Sequence, residues 1–275
     1  MTHSIHCKVS NSLWRAIEER QRLTGESLQH IVRQALADYL QVEHSTLFQI
    51  STTGALVEGL HQGEVTVGLL RQHGDFGLGT FNDLDGEMVV VDGCFYQVRS
   101  DGKVYAVTDE VRSPFAVVTH FVPERTHDLT DCPDLATLLA KLDQLRLSEN
   151  VFFAIRVEGN FDYVRTRAVA KQEEGVRLVE AAATQPEFEF HSVSGTLVGF
   201  WTPESVKAVN VPGYHLHFLT ADKQAGGHLL ECAATQVRVQ IQHEGDFRMS
   251  LPETEAFLKA DFSRDTSTEL LQAEK

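Results

Sequence analysis

Gly213-Tyr214-His215-Leu216-His217-Phe218, followed after a polar reversal by Gly226-Gly227-His228, is the stretch on which the reading of this chain turns. Successive side chains of a strand point to opposite faces, and residues two apart stand roughly 7 Å from each other on one face. His215 and His217 therefore aim at one point, with Leu216 directed the other way. The polar run from Thr220 to Ala225, closed by Gly226-Gly227, predicts a reversal that brings His228 back beside the first two. Three imidazoles on neighbouring β segments, with no cysteine among them, are the ligand set of a catalytic zinc, whose fourth position stays open. The same donors accept other divalent first-row ions. An alternating histidine pair can also be a solvated or hydrogen-bonded strand edge; the third histidine after a glycine pair favours the metal.

Working outward, the chain has 275 residues, 42% of them apolar, enough to bury a sizeable core in one large domain or two. No run approaches the roughly 18 apolar residues of a membrane span, and Met1-Thr2-His3-Ser4 leads into no signal-peptide core. A cytoplasmic location without a membrane partner is the expectation. Cys7, Cys94, Cys132 and Cys232 show no C-x-x-C spacing, so neither a disulfide framework nor a cysteine-zinc site is indicated. A formal net charge of -15 excludes nucleic-acid affinity spread over the whole surface. An anionic substrate would need a local cation.

Residues 1–44 differ from the rest. Ser4 to Val9 alternates as a strand does. Ser10 caps a helix expected from Asn11 to about Leu23, stopped at Gly25. A second helix after Ser27 sets Leu28, Ile31, Val32, Ala35, Leu36, Tyr39 and Leu40 in one apolar stripe. So short a segment cannot bury that stripe alone. The order strand, helix, helix resembles a ribbon-helix-helix module. That resemblance implies a homodimer and DNA contact through His6 and Lys8, with Ser4 a third candidate. Five basic residues (Lys8, Arg15, Arg20, Arg22, Arg33) face five acidic ones (Glu18, Glu19, Glu26, Asp38, Glu43), so pairing without DNA is an equal reading.

From residue 45 onward the pattern is mixed. Strands are expected over 47–50, 76–81, 87–92, 94–99 and 103–108, the last four joined at Asp85-Gly86, Asp92-Gly93 and Asp101-Gly102. Short helices are expected over 53–60 and 66–72, an amphipathic one over 133–145, and one over 176–183. A strand over 115–122 and a hairpin around Glu158-Gly159-Asn160 follow the same logic. The last third reads as strands over 187–191, 195–201, 214–219, 228–243 and 247–251, and the polar tail from Phe262 as mobile. The fold class is thus α+β: a mixed or antiparallel sheet subdomain, then a smaller barrel-like β subdomain carrying the metal, divided near residue 185.

Five separated motifs now align: His73 to Asn82 (HGDFGLGTFN), Leu84-Asp85-Gly86-Glu87, Arg165-Thr166-Arg167, Ser194 to Phe200 (SGTLVGF), and Gly213 to Phe218 with Gly226-Gly227-His228. Over roughly 46–262 the chain resembles the alpha-acetolactate decarboxylases. The resemblance implies conversion of 2-acetolactate to acetoin and CO2 with Zn2+ on His215, His217 and His228, without an organic cofactor. It makes Arg167 the cation near the substrate, Glu87 an acid beside the metal and Thr80 part of the pocket wall. It also implies a glutamate from the C-terminal tail, for which Glu269 is best placed and Glu274 second. Two other readings stand beside it. A cupin-like metal oxygenase shares the H-x-H strand, although Ala221 and Asp222 occupy the positions of that family's glutamate. A DNA-binding regulator sensing acetolactate or acetoin would account for the amino-terminal segment.

Overall fold

A computed structural model describes residues 5–41 and 45–274. The chain forms two compact units, Met1–Ser45 and Thr46–Lys275. In the first, α1 (Asn11–Thr24) begins where the Ser10 hydroxyl accepts the Leu13 N–H and ends at Gly25, whose φ of 75° is left-handed. Helix α2 (Leu28–Leu40) starts in the same way, with the Ser27 hydroxyl accepting the His30 N–H. The strand expected over Ser4–Val9 is not formed: residues 5–10 make no β pairing, and Ser4 lies outside the described residues. A lone ribbon strand has no neighbour to satisfy its N–H and C=O groups, so alternation by itself does not make it one.

The second unit holds two main sheets. Its strands are β1 (Thr46–Ile50), β2 (Val65–Thr66), β3 (Phe76–Thr80), β4 (Glu87–Val91), β5 (Cys94–Val98), β6 (Val104–Ala106), β7 (Arg112–Ser113), β8 (Ala116–Thr119), β9 (Arg125–Cys132), β10 (Phe152–Arg167), β11 (Glu187–Thr202), β12 (Gly213–Thr220), β13 (Gly226–Glu244) and β14 (Asp246–Ser250). Its helices are α3 (Thr53–Val57), α4 (Val67–His73), α5 (Leu135–Leu145), α6 (Leu178–Ala182), α7 (Glu255–Lys259) and α8 (Ser267–Glu274). One sheet runs β14-β1-β8-β3-β4-β5-β6, antiparallel apart from the β1–β14 pair. The other runs β10-β11-β12-β13-β9, and β10 also pairs with β13, so four strands follow one another round a ring. The chain is therefore an α+β protein with mixed and antiparallel sheets.

The hairpin signals mark real turns. Asp92 and Gly93 have φ of 53° and 74°, as a two-residue turn between β4 and β5 demands. Gly159 is different. Instead of turning at Glu158-Gly159-Asn160, β10 runs straight through for 16 residues, with Gly159 opposite Gly195 on one side and Val237 on the other. A Cβ at Gly159 would lie 2.9 Å from the Gln236 carbonyl oxygen, so close strand approach explains this glycine. The division near residue 185 also fails to separate the sheets, because it falls between β10 and β11, which pair along their length. Strand β9 went unseen in the sequence because it is mostly polar and packs on β13 with alternate residues exposed. The tail expected to be mobile forms α8, with Leu270 and Ala273 buried.

Packing follows strand parity. Phe152 and Ala154 of β10 join Leu47, Phe76, Leu78, Val89 and Val117 of the larger sheet in a core between the sheets. Their neighbours Phe153, Ile155 and Val157 turn into a second core with Leu216, Phe218, Leu229 and the α5 residues Leu138 and Leu142. On β12, Leu216 and Phe218 face that second core and Leu219 the first. His215 and His217 share the parity of Leu219, so they point between the sheets.

Candidate metal centre and substrate pocket

Register assembles the site. Arg167 on β10 pairs with His228 on β13, and His228 pairs with His217 on β12, giving one row across three adjacent strands. His215 lies two residues along β12 from His217. Across the gap, Thr80 of β3 pairs with Glu87 of β4. All six of these residues are at least 92% buried. The imidazole centroids of the three histidines stand 5.0, 5.0 and 5.3 Å apart.

The hydrogen bonds assign a nitrogen to each role. His217 Nδ1 lies 2.8 Å from the Met88 carbonyl, which can only accept, so Nδ1 carries the proton and Nε2 presents its lone pair. His228 Nε2 likewise meets the Glu274 carbonyl at 3.0 Å, leaving Nδ1 for the centre. His215 Nε2 is 3.2 Å from His217 Nε2. One ligand nitrogen from each ring falls within 4.8 Å of the others. Two nitrogens bound tetrahedrally at about 2.0–2.1 Å would stand roughly 3.3 Å apart, so the donor set fits a divalent ion. Burial, reinforced by the Arg167 charge, lowers His215 to about 3 and holds His217 and His228 well below the usual histidine value. Neutral imidazole is the form that binds metal.

Two carboxyls flank the histidines. Glu87 Oε2 is 3.6 Å from His217 Nε2, and Glu274 Oε2 is 3.4 Å from His215 Nε2 and 3.7 Å from His228 Nδ1. Burial raises both carboxyls to about 7, against the pull of Arg167. Arg167 itself donates from Nη2 to the Ala273 carbonyl at the end of α8. The Thr80 hydroxyl donates to the Gly86 carbonyl at 2.8 Å, fixing the turn that carries Glu87. A cavity beside the histidines is bounded by Thr80, Glu87, Arg167 and Glu274 and by apolar Leu56, Leu84, Phe115 and Leu178.

One expectation changes. Glu269 does not enter the site; its carboxylate is held by Arg177 and Arg264, and Glu274, one and a half turns on, enters instead. The signal was helical spacing, since Leu270, Ala273 and Glu274 fall on one face while Glu269 begins its rim. Arg165, two residues before Arg167 on β10, is partly exposed and paired with Glu187. The pairing of β10 with β13 shifts register here, Arg165 facing Glu231 and Thr166 facing Leu229, so the extra residue is Leu230 of β13. His6 and Lys8 are exposed in the first unit.

Comparison with known proteins follows the same lines. A family model described as alpha-acetolactate decarboxylase matches residues 47–264. An alpha-acetolactate decarboxylase of Methanosarcina mazei is 42% identical over 91% of this chain and 86% of its own length. That of Methylococcus capsulatus is 46% identical over 84% of this chain and 90% of its own. The crystal structure of the Bacillus subtilis strain 168 protein superposes with a TM-score of 0.81 at 37% identity, covering 83% of this chain and 99% of that one.

Proposed function

The chain belongs to the alpha-acetolactate decarboxylase family, and on that premise we propose how its residues convert 2-acetolactate to acetoin and CO2. It is a carboxy-lyase, and the cupin-like reading falls with the family match. The observation that carries the mechanism is the cross-strand row Arg167–His228–His217, with His215 beside it, facing the Thr80–Glu87 pair. His215 Nε2, His217 Nε2 and His228 Nδ1 would hold Zn2+, which would supply Lewis acidity so that the polarised substrate ketone takes up the electron pair released with CO2. The strand ring then acts as a barrel-like subdomain whose outer face carries the ligands.

Arg167 binds and orients the substrate carboxylate. A guanidinium has five N–H donors, so its bond to Ala273 leaves others for an anion in a forked geometry. Thr80 and the apolar wall keep water from the reacting carbons. Acetoin is chiral, so a proton must reach one face of the carbanion equivalent. Glu87 and Glu274 sit on different elements around the histidines, each raised to about 7 and so poised to hold a proton near neutral pH. The test is metal content and acetoin release measured together on the wild type and His217→Ala; a fully loaded wild type that releases no CO2 from racemic acetolactate would refute the mechanism.

For residues 1–44 we propose pairing with a second copy of the chain to give a homodimer. Ile5, Val9, Leu13, Leu23, Tyr39 and Leu40 are all exposed there, more apolar surface than so small a unit usually leaves uncovered. The Methanosarcina match spans more of the chain than residues 46–275 alone supply, so part of this segment is shared with a relative. His6 and Lys8 are the groove-facing candidates for DNA. A gel shift on DNA upstream of the gene, with and without acetolactate or acetoin, tests that role and with it the regulator reading.

A further inference from the structure

Helix α8 reaches the site but has little to hold it. Eight residues do not make a stable helix in water, and only Leu270 and Ala273 are buried along it. Its far end is tied by the Ala273 carbonyl to Arg167 and by the Glu274 carbonyl to His228. Its near end is tied by charge. The Glu269 carboxylate accepts from Arg177, which precedes α6, and from Arg264, three residues before α8. Arg264 in turn donates from Nε at 3.2 Å to Glu58, which ends α3. Glu269 and Glu274 are five residues apart on one rod, about 7.5 Å along its axis, so a shift at the first displaces the second. The match to the family model ends at residue 264, just before the helix that delivers Glu274.

We propose that Glu269, gripped by Arg177 and Arg264 with Glu58 behind them, is a positioning residue that seats α8 and so places the Glu274 carboxylate against the histidines. The proposal rests on the decarboxylase reading only for its kinetic readout. Glu269 stays ionised because both guanidiniums hold its carboxyl below the usual range. The clamp is half-exposed, and salt screens such charges.

The experiment compares wild type, Glu269→Gln, Glu269→Asp, Glu274→Gln and the double variant Glu269→Gln/Glu274→Gln, all metal-loaded. Amide hydrogen exchange should quicken over residues 267–274 in Glu269→Gln and leave the β10–β13 strands unchanged, a result that needs no activity. The kcat of Glu269→Gln should fall about tenfold at nearly constant KM, with Glu269→Asp in between. Wild-type kcat should fall with added salt, and the double variant should be no slower than Glu274→Gln alone. Unchanged exchange in 267–274 with wild-type kcat in Glu269→Gln overturns the clamp. Additive losses in the double variant overturn it too, since Glu269 would then act other than through Glu274. A wild type without turnover would instead sink the decarboxylase reading, leaving the exchange result to decide the clamp.

Discussion

Glu87 and Glu274 approach the same three imidazoles from separate elements, β4 and α8, and only one of them was readable with its partners. The histidines were legible because strand alternation and a glycine reversal are short-range signals. Glu274 was second choice because its place depends on a helix docking over a distance no local pattern encodes. The bulge at Leu230 of β13 was hidden for a related reason, as it exists only relative to β10. At this scale His217→Ala should cut bound metal from about one ion per chain to a small fraction and abolish acetoin release, checked by elemental analysis and product assay. Arg167→Lys keeps the charge and loses the fork. It should lower kcat/KM by about 10- to 100-fold, as expected for losing a charge-assisted hydrogen bond worth about 1.5–3 kcal/mol.

Among the elements, hairpins were the most legible because their two-residue turns need residues that tolerate positive φ. Long strands were the least: β10 and β11 each run 16 residues, β10 through Gly159, which looked like a turn, and β11 through 192–194, where a break was expected. Their glycines mark close approach. At Gly199 of β11, a Cβ would stand 2.0 Å from the His215 carbonyl oxygen and 2.9 Å from Leu216 Cα. Gly199→Ala should therefore push β12 away from β11 directly behind the histidines. We expect a melting temperature lower by several degrees, consistent with about 1–3 kcal/mol for overpacking. Metal affinity should fall about tenfold or more, read by competition with a chelating dye, while the conservative change Ser194→Ala at the β11 rim should move neither.

For the molecule as a whole, every site residue lies in the second unit, so residues 46–275 alone should keep kcat per bound metal within about twofold of the full chain. Sedimentation should show the truncated form as a smaller assembly if residues 1–44 pair two copies. Stability should depend on pH through Glu244, which is 2% exposed, accepts from Gln242 Nε2 at 2.9 Å and lies near Glu124. Burial raises its carboxyl well above the usual value. The folded state then holds this proton more tightly than the unfolded one, so wild-type stability is lost as pH climbs from the ordinary carboxyl range toward the raised value. Glu244→Gln should match the wild type below about pH 4 and exceed it at neutral pH by about 1.4 kcal/mol for each unit of the rise, seen in denaturant melts at both pH values. The bond from His217 Nδ1 to the Met88 carbonyl joins a site histidine on one sheet to the backbone of the other. Until those layers meet, that ring is at liberty to swap tautomers and offer the wrong nitrogen. For an ion held there, correct loading would thus wait on the meeting of the two sheets, and one captured by a half-built chain would be gripped in the wrong way and have to be released again.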